Sequence, residues 1–219
     1  LNTGLFTPTA DRYTWLHRTF QEYLAAYYLN HHALPLAQLT GLFEAPGDPG
    51  GKFPPQLHDT IAWLSSFRPD VKQLVLARDP MLLLNSDVSI LSQQDRIQLV
   101  SALFDAVEKQ RHFQNFGEYR LYHKLRYPNL AEQVRPYLLN QNLSISARRL
   151  AIDIAERCEL SELQQSLVDL ALDPTVAPLL RCDAADAVVR IGDATTRSQL
   201  KPLLHATQDE FLQHPKGAA

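Results

Sequence analysis

Two cysteines in 219 residues, Cys158 and Cys182, stand far apart and without metal-ligand spacing, which excludes both a disulfide framework and a cysteine zinc site. Reduced thiols suit a reducing compartment, so the cytoplasm is the expected location. Long apolar runs are missing as well. No segment approaches the ~20 residues that a membrane-spanning helix needs, and no basic-then-apolar leader opens the chain. Nor is there an excess of one charge: 21 Lys and Arg against 24 Asp and Glu leave a formal net charge of −3. No long-range field draws in nucleic acid or an anionic membrane, and Arg148-Arg149 is too small a basic pair to change that. What the chain does have is apolar mass. At 45% hydrophobic residues it can build one sizeable core or two smaller ones.

Signatures of catalysis are equally scarce. Gly47-x-x-x-Gly51-Lys52 is one residue short of a P-loop, and Phe53 stands where a Ser or Thr would hold magnesium, so a plain loop is the better reading. His31-His32 fails as a metal site because adjacent side chains on a helix diverge by ~100° and no third ligand is near. There is no Gly-x-Ser-x-Gly elbow and no His-Glu-x-x-His. Asp183 and Asp186 fall on one helix and are expected to be solvated or paired with Arg181 and Arg190. No catalytic residue, metal ligand or cofactor of its own is therefore assigned, and the chain is not expected to be an enzyme.

Residues 1–15 place Leu5-Phe6 and Tyr13-Thr14-Trp15 around a polar turn and predict a β-hairpin. Thr19 followed by Glu22 has the form of a capping box, which starts a helix at about Phe20. Phe20, Tyr23, Leu24 and Tyr27 then recur at helical spacing as a stripe to be buried, with Gln21 and Glu22 facing elsewhere and the helix ending near His31. The Pro and Gly rich stretch 45–55 is a loop. Helices follow over 57–67 and 71–76. Asp79-Pro80 opens another with proline at its first position, and Ser92-x-x-Asp95 opens one that carries Ile97, Val100, Leu103, Phe104 and Val107. Three regions result: 1–33, 34–115 as a helical connector, and 116–219.

The third region repeats itself every 33 residues. Ala151, Ile154, Ala155 and Cys158 map onto Ala184, Ala187, Val188 and Ile191, and Arg148 maps onto Arg181. In the second helix of each unit, Leu130, Val134, Tyr137 and Leu138 map onto Leu163, Leu167, Leu170 and Ala171, then onto Thr196, Leu200, Leu203 and Leu204. Ser161 and Gln164 are a second capping-box pair, Gly192 suits a left-handed residue after a helix, and Asp193 suits the next N-cap. A helical hairpin with one apolar side cannot bury itself alone, so such units stack. The fold class expected is all-α, with a helical connector and an α-solenoid behind a short β-hairpin. The run from Leu172-Asp173-Pro174 through Arg181, Ala184, Ala185, Val188, Val189, Arg190 and Gly192 resembles a short HEAT repeat. The likeness is good over 140–206 and weak over 116–139.

A second resemblance lies at the start. His17, Phe20, Gln21, Glu22, Tyr23, Leu24, Ala25 and Ala26, with Trp15 and Thr19 as aromatic and hydroxyl equivalents, resemble the end of the winged-helix domain in NACHT-type signal-transduction ATPases. The chain opens on Leu and enters partway through that motif, which implies a piece of a longer protein with its ATPase domain upstream. The resemblance implies that His17 touches the β-phosphate of ADP held by that domain. Independently, an imidazole beside a helix N-terminus adds a donor to a natural anion site, although a histidine that merely packs or fills a turn satisfies the same residues.

The function implied is that of a non-catalytic regulatory and sensor arm, which binds a protein ligand on the repeats and controls nucleotide-dependent activation and oligomerisation; in a bacterial member the task would be antiviral defence. Arg148, Arg149, Arg181 and Arg190 are expected on a solvent-facing groove for an acidic partner. Tyr119 and Tyr122 belong to an aromatic and basic cluster, with Phe113, Phe116, Arg120, His123, Lys124, Arg126 and Tyr127, of the kind favoured at binding surfaces; core and cap packing explains the cluster too. The competing reading is a HEAT-repeat scaffold for protein–protein interaction without nucleotide control. Membrane and nucleic acid are not expected partners.

Overall fold

The computed structural model describes residues 6–9, 12–15, 17–44, 52–86, 91–109 and 119–205. Among these residues the fold is all-α apart from one two-stranded antiparallel hairpin. Strands β1 (Phe6–Thr9) and β2 (Arg12–Trp15) pair with Phe6 opposite Trp15 and Thr9 opposite Arg12. The chain forms two compact units, residues 1–102 and 103–219. The division falls inside a helix, α6 (Gln93–Glu108), rather than in a loop.

In the first unit α1 (Arg18–His31) packs on α3 (His58–Phe67), which also contacts α4 (Pro69–Arg78) and α5 (Pro80–Asn85). Helix α5 is apolar on every side, and Pro80 through Leu84 are all buried, as an all-round hydrophobic helix requires. Helix α2 (Leu36–Phe43) buries Leu39 and Phe43, and the Phe43 ring meets Phe53 edge-on with centroids 6.4 Å apart. The capping box at Ser92 forms. Ser92 Oγ accepts from Asp95 N at 3.2 Å, and Asp95 Oδ2 accepts from Ser92 N at 3.1 Å. Asp79 precedes Pro80 as predicted, but its side chain makes no capping bond.

The second unit stacks helical hairpins in the predicted register. Among its described residues the α-helices after α6 are α7 (Leu130–Leu139), α8 (Ile145–Arg157), α9 (Gln164–Leu172), α10 (Pro178–Ile191) and the short α11 (Ala194–Ser198). The paired positions Ala151 and Ala184, Ile154 and Ala187, Ala155 and Val188 are all buried, and so are Leu130, Leu163 and Thr196. Hydrogen bonds repeat as well. Asn142 N donates to Asn140 Oδ1 at 3.0 Å, and 33 residues on Thr175 N donates to Asp173 Oδ1 at 2.9 Å. Side-chain oxygens thus turn the chain between hairpins at both places.

Two helix-end predictions need correction. Ser161 caps nothing: a 3-10 turn over Ser161–Leu163 leads into α9, and the Gln164 side chain instead accepts from Asp193 N at 3.0 Å. Gly192 has φ −72°, not a left-handed value. Glycine is needed there for closeness, since a Cβ would lie 2.6 Å from the Val188 carbonyl oxygen and 2.8 Å from Thr196 Oγ1. Asp193 does cap, its Oδ1 accepting from Thr196 N at 2.8 Å.

Candidate functional site

His17 sits at the junction of strand and helix, with extended backbone (φ −129°, ψ 128°), as the N-cap residue of α1. Its side chain is exposed and makes no capping bond; its ring lies 6.1 Å from that of Phe20. The helix begins at Arg18, two residues before the position expected, so Thr19 is helical and exposed and the predicted capping box does not form. No acidic side chain occupies the first turn. The positive end of α1 therefore keeps its attraction for an anion, with one imidazole beside it.

The helix is rotated relative to the stripe read from its sequence. Glu22 and Ala26 are the buried residues, whereas Phe20, Leu24, Tyr27 and Tyr28 are 42%, 40%, 50% and 59% exposed. Tyr23, at the edge of this face, meets Trp63 and Phe67 edge-on at 5.3 and 5.8 Å. Glu22 tolerates burial because Arg18 Nε, one turn earlier, donates to its Oε1 at 2.6 Å. At the other end, His31 stacks on Tyr27 and His32 on Tyr28, and among the described residues no group of three metal-ligating side chains occurs. Gly47 and Gly51, like Leu5, Phe113 and Phe116, lie outside the described residues.

The repeat arginines do not form the predicted solvent-facing groove. Arg148 and Arg181 are buried, 7% and 6% exposed, and each reaches back ten residues along the chain. Arg148 Nε donates to the Leu138 carbonyl at 3.4 Å and Arg181 Nε to the Ala171 carbonyl at 3.2 Å, tying each hairpin to the end of the preceding helix. Burial lowers the Arg148 pKa from its ordinary value, with Asp173 opposing the shift. Hydrogen bonds from Thr175 hold the Asp173 carboxyl below its usual range, with Arg148 and Arg181 adding to the effect. Arg149 is half-buried against Asp183. Arg190 remains 55% exposed but bonds Glu156 Oε1 at 2.7 Å.

Tyr119 and Tyr122 divide. Tyr122 is buried, and its carbonyl accepts from the Cys158 thiol at 3.1 Å, which makes it core. Tyr119 is half-buried and donates its hydroxyl to Glu156 Oε1, while the Arg157 guanidinium lies 3.7 Å above its ring. Burial first and the Glu156 carboxylate second raise the Tyr119 pKa. Glu156 is thus a hub joining Tyr119 and Arg190, and sequence reasoning missed it. The available signal was its register, since Glu156 aligns with Val189 and no repeat pattern demands a carboxylate there. In the rest of the cluster, Tyr127 is buried, whereas Arg126, exposed, pairs with Glu159 at 3.2 Å.

The open surface of the repeats, otherwise largely polar, includes several large apolar side chains. Leu139, Ile145 and Leu179, each at least 42% exposed, flank the equivalent turns between α7 and α8 and between α9 and α10. Among the described residues no helix is long and apolar enough to cross a membrane. Comparison with protein-family models, with curated proteins and with solved structures finds no match to this chain.

Proposed function

We propose that this chain is the non-catalytic regulatory and sensor arm of a NACHT-like signalling ATPase. The observation that carries the reading is the combination at α1: an exposed His17 at an anion-attracting helix start, and an aromatic face that the unit's own core does not use. An exposed patch of this kind marks a contact surface. In the resting state an upstream domain carrying ADP covers that face, and His17 donates to the β-phosphate. The stacked repeats supply a stiff element whose turns, rimmed by Leu139, Ile145 and Leu179, receive a protein ligand. Ligand binding shifts the arm, the tie to phosphate is lost, and the ATPase exchanges nucleotide and oligomerises. The ligand must prefer the open state, because equal affinity for both states shifts nothing. In a bacterial host the ligand would be a product of an invading phage, and the cytoplasm is the place of action.

The test uses the protein that joins this chain to its ATPase domain. His17→Ala raises basal oligomerisation, read by light scattering, and speeds release of ADP; a variant with unchanged assembly and unchanged ADP retention removes the nucleotide role. The apolar rim of the repeats also favours a scaffold without nucleotide control. In that case the partner binds equally well to the chain with and without nucleotide in the neighbouring domain.

A further inference from the structure

A cavity of about 220 Å³ opens in the first unit beside α1, α3 and α5. Its polar lining is rich in hydrogen-bond acceptors, with donors contributed by the Thr19 hydroxyl and the Asn85 amide. Glu22 of α1 and Asp59 of α3 bring two carboxylates from different helices, and Ser65 and Ser66 add hydroxyls. Those hydroxyl hydrogens are already committed: Ser65 Oγ donates to the Ala62 carbonyl at 2.7 Å, and Ser66 Oγ to the Trp63 carbonyl at 2.6 Å. A hydroxyl has one hydrogen and two lone pairs, so these serines offer acceptors to anything in the cavity. Glu22 is 8% exposed, and Arg18 engages its Oε1, whereas a carboxylate accepts about four hydrogen bonds. Trp63, half-buried, supplies an indole to the same wall. Acceptors, negative charge and an aromatic ring together favour a compact cation rich in N–H groups.

We propose that this cavity binds a guanidinium or alkylammonium group on a short stem, carried by a free small molecule or by a partner's Arg or Lys side chain. The volume corresponds to roughly seven waters at ~30 Å³ each, below the ~300 Å³ of pockets for larger ligands. A nucleotide is excluded on size and charge, so the inference stands whether or not His17 meets phosphate. Occupation would hold α1 against α3 through Glu22 and Asp59.

The experiment titrates the whole chain with n-butylguanidine, with a capped Gly-Arg-Gly peptide, and with n-butanol as the neutral control. Calorimetry gives affinity, and the Trp63 indole NMR signal reports the site. The expected result is saturable binding of butylguanidine, none of butanol, and a loss of about tenfold in Asp59→Asn, equivalent to ~1.4 kcal/mol. Asp59 is exposed and takes no part in the Arg18 pair, so this variant should fold; Glu22→Gln, checked by circular dichroism, is the second probe. Tighter binding of the peptide assigns the source to a partner side chain, and tighter binding of butylguanidine to a small molecule; either supports the site. No saturable response, equal binding of butanol, or an affinity that both variants leave unchanged overturns it.

Discussion

Arg149 Nε donates to Asp183 Oδ2 at 2.7 Å, and the carboxylate that it meets is fully buried. In repeat register Asp183 takes the place of Leu150, itself fully buried. One unit therefore fills that core position with a side chain that packs, and the next fills it with a charge that the preceding hairpin must neutralise. The pair bridges α8 and α10. Removing one partner strands a buried charge, which costs about 3–5 kcal/mol, whereas exchanging both for apolar groups is often neutral or stabilising. Because Arg149 keeps 27% of its side chain exposed, the lower end applies. Arg149→Met is expected to cost about 3 kcal/mol in urea denaturation, and Arg149→Met with Asp183→Leu to recover most of it. A double variant as unstable as the sum of the two single ones would show that the groups are not coupled.

This pair also marks how far the sequence could be read. The 33-residue period was legible because hydrophobic positions carry it: Leu130, Leu163 and Thr196 are all buried, as are Val134, Leu167 and Leu200, whereas of Tyr137, Leu170 and Leu203 only Leu170 is, and Cys158 is buried where Ile191 is half-buried. The roles of the polar repeat residues were not legible. Arg148 and Arg181 look like surface arginines in sequence, since nothing in a helical pattern reveals that a long side chain will fold back ten residues to a helix-end carbonyl. The face of α1 was misread for a related reason. Spacing identifies an apolar stripe, but which stripe is buried depends on what packs against it, and here α3 takes Ala26 and an ion-paired Glu22.

Acid should act through Lys72 and Asp95. Lys72 Nζ lies 2.7 Å from Asp95 Oδ1, with both side chains about one-fifth exposed. Burial alone would raise the Asp95 carboxyl, but hydrogen bonds from Lys72 and Ser92 outweigh it and hold the group below its ordinary value. A depressed folded pKa gives stability that is present above the unfolded value, ~3.9, and is lost as pH falls through the folded one. Asp95→Asn should therefore cost on the order of 1 kcal/mol at pH 7, a cost that shrinks as pH falls below ~3.9 and through the depressed folded pKa. Denaturation midpoints measured from pH 7 to 2.5 would reveal it, and a constant difference across that range would contradict the assignment.

At alkaline pH the controlling group should be Cys158. Burial pushes its thiol up to about 12, with Arg126 opposing the shift. A raised folded pKa means stability that is complete below the unfolded value, ~8.5, and lost progressively as pH climbs toward the folded one. Cys158→Ala removes this slope between pH ~9 and 11 while giving up the hydrogen bond to Tyr122 and some packing. The folded chain should also react with a thiol reagent first at half-exposed Cys182, with Cys158 following only at the rate of unfolding. Equal reactivity at pH 8 would place the Cys158 sulfur at the surface.

The orientation of α1 separates the structure from the pattern in its own sequence. If the stripe of Phe20, Leu24 and Tyr27 were core, replacing any of them with Ser would cost several kcal/mol, as large-to-small changes in cores do. With those side chains 40–50% exposed, Phe20→Ser and Tyr27→Ser are expected to move stability by only about 0.5 kcal/mol each. Ala26 behaves in the opposite way. It has no exposed surface, so Ala26→Leu must displace neighbours and should cost about 1–3 kcal/mol. Tyr23→Ala should cost about as much, since it loses two edge-on ring contacts worth roughly 0.5–1.5 kcal/mol each. Urea melts of the four variants give the ranking directly. If Phe20→Ser and Tyr27→Ser proved the most damaging, the helix would be turned by nearly half a turn, ~150° at ~100° per residue, from the orientation described, and the aromatic face would be unavailable to any partner.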